Sequence, residues 1–107
     1  MPKFLIEASY TAEGARGLAK DGGSKRKAFI TELTKKSGAT LESFHFAFGG
    51  SDVFCVVDLP DNASMMAVSL AVNSSGAVTL KTIPLLTAEE VDAAAKQQVN
   101  YRPPGQA

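Results

Sequence analysis

The chain has 107 residues, 11 of them basic and 11 acidic, for a formal net charge of zero. That length holds one ordinary domain with one core. The even balance leaves no electrostatic footprint for nucleic acid or an anionic membrane, and the longest apolar stretch, residues 53–57, is far too short to span a bilayer.

Residues 3–10 alternate Phe4, Ile6, Ala8 and Tyr10 on one side with Leu5, Glu7 and Ser9 on the other, the period of a half-buried strand. This pattern begins almost at the N-terminus, where a secretory leader would place an apolar core, so a soluble, cytoplasmic protein is expected. Thr11 reads as the cap of a helix in two pieces, residues 12–20 and 24–37, split by Asp21-Gly22-Gly23 and stopped by Gly38. In the second piece Phe29, Ile30 and Leu33 are expected to face inward, with the Lys and Arg residues in water.

Strands over residues 40–48 and 52–59 flank a Gly-rich turn and predict an antiparallel hairpin. Cys55, the only cysteine, sits in the Val-rich second strand and reads as a buried thiol. Asp61 and Asn62 offer caps for a helix over residues 63–74 that is apolar around most of its girth, with Met66, Ala67 and Leu70 on one side and Met65, Val68 and Val72 on another. A strand over residues 78–85 leads to Thr87-Ala88-Glu89-Glu90, a capping box that opens a short last helix. The tail from about residue 100 carries Pro103 and Pro104 and is expected to be extended, crossing a surface groove on its own or on a partner subunit with Tyr101 as its anchor.

This order predicts a single ferredoxin-like α+β domain, βαββαβ with a C-terminal helix, its two main helices on one face of a four-stranded antiparallel sheet. The other face is left bare, and self-association into a homodimer or higher homo-oligomer is the simplest cover.

The chain's only histidine lies in FHFAFGGSD, residues 44–52. If Phe44, Phe46 and Phe48 face the helices, then Ser43, His45 and Ala47 project from the bare face, together with Glu7 and Ser9 of the first strand and Lys81 of the fourth. A strand order of 4-1-3-2 puts Lys81 beside Glu7 and His45 on an edge strand. A cleft holding an imidazole, a carboxylate and an ammonium can do acid-base chemistry on a small molecule, with His45 as the acid-base group and no cofactor. The competing reading is a wet interface in which Glu7 and Lys81 neutralise each other. One histidine among scattered carboxylates has no metal-ligand spacing.

Two glycine-rich segments invite the same comparison. Asp21-Gly22-Gly23-Ser24-Lys25-Arg26-Lys27 can hold a phosphate or carboxylate through backbone N–H groups and Arg26, or serve as a flexible break with a solvated basic face. Gly49-Gly50-Ser51-Asp52 reads as a hairpin turn in which Asp52 bonds nearby backbone, and otherwise as the rim of a binding cleft.

The opening residues 3–11 (KFLIEASYT), 22–26 (GGSKR), 46–49 (FAFG), 58–61 (DLPD), 75–78 (SGAV) and 85–91 (LLTAEEV) together resemble the GYD domain family. That family is similar to the dimeric α/β-barrel proteins, in which two ferredoxin-like sheets pack face to face. The resemblance implies the fold and the pairing rather than a reaction. In the naming tripeptide Gly50 and Asp52 match, whereas Ser51 stands at the tyrosine position. The function expected is a small-molecule-binding or assembly module using the cleft between paired sheets. The alternative is a cofactor-free small oxygenase or isomerase.

Overall fold

A computed structural model describes residues 1–106; Ala107, the end of the expected tail, lies outside the described residues. The elements are β1 (Lys3–Tyr10), α1 (Ala12–Asp21), α2 (Gly23–Lys36), β2 (Thr40–Phe46), β3 (Val53–Asp58), α3 (Asn62–Ser74), β4 (Val78–Leu85) and α4 (Ala88–Ala95). The strands form one antiparallel sheet in the order β2-β3-β1-β4. This is the expected ferredoxin-like α+β fold, with the first helix broken in two.

Local chemistry sets the boundaries. Thr11 caps α1, its Oγ1 accepting from the Gly14 amide, and also donates to the Gly76 carbonyl, so the end of β1 is tied to the turn before β4. Gly22 alone breaks the helix, at φ +85°, a conformation that glycine adopts without strain. Asp61 caps α3 by accepting from the Ser64 amide. The capping box at α4 is fully formed, Thr87 and Glu90 each bonding the other's backbone N–H.

Alternation in the strands builds the core. Phe4, Ile6 and Ala8 of β1, Val53, Cys55 and Val57 of β3, Phe44 of β2 and Val78 of β4 are buried on one face, with Met65 of α3 and, partly buried, Ile30, Val68 and Val72 above them. Where α2 and α3 fail to close fully over the sheet, an apolar cavity of about 80 Å³ remains.

Three expectations about aromatic and basic side chains are corrected. β2 ends at Phe46, because the chain then turns and the Ala47 amide donates to the Asp52 carbonyl; Phe48 is 99% exposed and shares no face with Phe44. Phe46 packs edge-on to Phe44, and a Cβ at Gly23 would meet its ring at 3.0 Å, so glycine is needed there for close approach. On α2 the residues turned toward the core are Arg26, Ile30, Leu33 and Thr34, a stripe at helical spacing that leaves Phe29 exposed, with the Arg26 guanidinium 5.5 Å from its ring centre.

Candidate functional site

The bare face of the sheet is ordered in rows by strand register. One row runs His45, Phe54, Glu7, Lys81 across β2, β3, β1 and β4. The next row, two residues along each of the four strands, is Ser43, Val56, Leu5, Ile83. Cross-strand partners share a face, so a polar row lies directly beside an apolar one. No helix covers either. Ile83 is 41% exposed, and Leu5, Glu7, Phe54 and Val56 are half-buried only by their neighbours in the sheet.

A bulge makes this face possible at the β2 edge. Strict alternation back from Phe44 would turn Leu41 outward, yet Leu41 pairs with Val57 and Phe44 with Cys55, both on the covered side. The irregularity between Leu41 and Ser43 absorbs Glu42, which reaches Lys3 on the bare side. Lys3 also pairs with Asp58, Nζ to Oδ1 at 3.1 Å, and hydrogen bonds to Glu42 and Asp58 raise its pKa above the usual lysine value. This charged cluster closes one end of the face.

The opposite end is closed by the loop between β2 and β3. The Asp52 amide donates to the Ala8 carbonyl, and its Oδ2 accepts from the Tyr10 amide at 2.8 Å, so Asp52 extends the β1 ladder with its side chain. Its neighbour Ser51 turns its Oγ to Glu7 Oε1, 3.4 Å away. The sequence marks Ser51 only as part of a turn that would rim a cleft, not as a partner of Glu7. The signal that marked it was its place in the tripeptide.

The predicted site residues therefore divide. His45, Glu7, Ser9 and Lys81 share the bare face, and Asp52 lies at its end. Glu7 and Lys81 are register partners, but among the described residues no ion pair joins them. Arg26 is on the far side of the sheet, beside the core cavity, and its buried Nε has no hydrogen-bond partner. Ser24 lies inside α2 while Gly22 occupies the cap, and Lys25 pairs with Asp21, 3.8 Å away, one turn back. The basic loop is thus separate from the sheet site.

His45 and Glu7 are two strands apart, roughly 10 Å at the usual interstrand spacing. Two such groups cannot bond each other, but they can bracket a small molecule lying over Phe54. Cys55 points the other way. Burial pushes its thiol up to about 11, so it is a neutral core group near pH 7 and no nucleophile.

Among the described residues no helix is long and apolar enough to cross a membrane. No curated protein and no solved structure matches the chain. The GYD domain model matches residues 4–95, from the start of β1 to the end of α4, and the chain belongs to the GYD domain family.

Proposed function

We propose that the bare sheet face binds a small organic molecule, apolar in its middle and polar at its ends, in a cleft closed by a second copy packed face to face. The observation that carries this reading is the pair of adjacent rows, His45-Phe54-Glu7-Lys81 and Ser43-Val56-Leu5-Ile83, left without a helix above them. Apolar sheet surface of this kind marks a contact surface, and the polar groups among it give a ligand its orientation. The charged Lys3 cluster at one end and the loop with Ser51 and Asp52 at the other form the rim.

Native mass spectrometry of freshly purified protein tests the reading. A dimer carrying an extra mass that is released on denaturation is expected, with occupancy reduced in Glu7→Gln and Lys81→Ala. Dimers that hold no small molecule, as purified or after soaking in a library of small aromatic acids and amides, would contradict it.

The spacing of His45 and Glu7 favours one further reading, a cofactor-free oxygenase or isomerase in which the imidazole moves a proton on a bracketed substrate. On that reading His45→Gln lowers turnover about a hundredfold or more and leaves assembly intact. If the imidazole is only an interface group, the same change alters assembly and leaves turnover alone.

A further inference from the structure

The end of the chain stands apart from the body. Every residue from 86 to 106 is exposed, and α4 buries none of its side chains. The radius of gyration is 17.4 Å, against about 13 Å for a compact chain of this size, and the longest dimension is 59 Å against 33 and 22 Å for the others. Leu86, Val91, Val99 and Tyr101 are 53 to 80% exposed along this arm. An eight-residue helix is shorter than the roughly 12–15 residues that an isolated helix needs in water, so α4 needs a surface to hold it even with its capping box.

We infer that residues 86–106 form an arm that docks on a second copy of this chain, with the acidic start of α4 against the basic end of α2. The inference rests on the face-to-face pairing proposed above. With the two-fold axis parallel to the strands, edge strand β4 of one copy lies over edge strand β2 of the other, and both keep the same end. Leu85, where the arm leaves β4, is level with Lys3 of β1, which is level with Asp58 of β3 and through it with Thr40, the start of β2. That end of β2 directly follows the end of α2, so the arm emerges at the same end of the assembly as the last turn of the other copy's α2 and reaches it by passing the edge of β2.

The charges match. α4 carries Glu89, Glu90 and Asp92 and no basic residue. α2 carries five basic residues and one acid, Glu32, and its exposed last turn holds Lys35 and Lys36. Acidic groups are favourable at such a helix C-terminus only through these lysines, which already sit on the carbonyl end of the helix dipole, so the contact is expected to be salt-sensitive.

The test uses the full chain. Protein labelled with nitrogen-15 and unlabelled protein are mixed, subunits are allowed to exchange, and a carbodiimide joins neighbouring carboxylates and amines. Peptides linking Glu89, Glu90 or Asp92 to Lys35 or Lys36 are expected, about half of them carrying one labelled and one unlabelled strand, the share random pairing gives. Linked peptides whose two strands always carry the same label would show that the arm folds back on its own subunit and overturn the inference, as would the absence of linked peptides. Sedimentation of the same sample separates the two proposals: a dimer without mixed peptides removes the arm contact alone, and a monomer removes the face-to-face pairing with it. A second check uses charge reversal. Glu89→Lys with Asp92→Lys, which leaves the Thr87–Glu90 capping box in place, and separately Lys35→Glu with Lys36→Glu, are each expected to reduce mixed peptides sharply, and complementary cross-linking between the two variants restores them; failure to restore them overturns the pairing of these residues.

Discussion

The two faces of one sheet are made from the same strands and follow opposite rules. On the covered face, Phe4, Ile6, Val53, Cys55 and Val57 are each 6% exposed or less and are held by the chain's own helices. On the bare face, Leu5, Glu7, Phe54 and Val56 alternate with them residue by residue, Lys81 stands beside Glu7 on β4, and none of the five meets a helix. The first set is complete within the subunit. The second leaves apolar area and polar groups uncovered by the subunit's own helices, which is the basis of the binding proposed there.

Removing side chains from the two faces is the strongest way to break that comparison. Phe4→Ala is expected to cost about 3–5 kcal/mol in denaturant unfolding, because its ring is buried and the cavity will not fully collapse. Phe54→Ala, on β3's other side, is expected to change subunit unfolding measured under dissociating dilution by less than about 1 kcal/mol while weakening assembly. Equal costs at the two positions would mean that the faces are not distinct.

A smaller effect comes from the covered face alone. The Cys55 thiol, ordinarily near 9.0, is pushed up to about 11 by burial, so between those pH values the unfolded chain loses a proton that the folded chain keeps. Stability is therefore full below about pH 9 and declines as pH rises toward 11, by at most about 2–3 kcal/mol for a shift of this size. Comparing wild type with Cys55→Val isolates the thiol from other alkaline titrations. The variant is expected to lose this part of the slope, and an unchanged slope would place the thiol in contact with water.

Much of this division was legible in the sequence. Period-two alternation in β1 and β3 assigned Leu5, Glu7 and Ser9 to the bare face, and the ferredoxin-like strand order placed Lys81 next to Glu7 and His45 on the edge. What escaped has a common physical cause, since periodicity describes only regular backbone. The bulge at Glu42 shifts Leu41 inward, the turn after Phe46 releases Phe48 into solvent, and a small roll of α2 exchanges Phe29 for Arg26 on the inward stripe. The contact of Ser51 with Glu7 depends on a loop closure in which Asp52 replaces a backbone acceptor, and no spacing rule encodes that. The tail's lack of helix was foreseen; its projection as an arm, with α4, depends on where β4 ends and what lies beside it.

The smallest change on the bare face gives the most direct reading of its role. Leu5 sits at the centre of the apolar row, between Val56 and Ile83, and Leu5→Lys places a charge there without touching the helix-covered core. Sedimentation velocity at micromolar concentration is expected to find wild type as a dimer or larger assembly and Leu5→Lys as a folded monomer. A wild-type monomer at that concentration, or a Leu5→Lys dimer as tight as wild type, would contradict the claim that the bare sheet face is where this protein meets its partner.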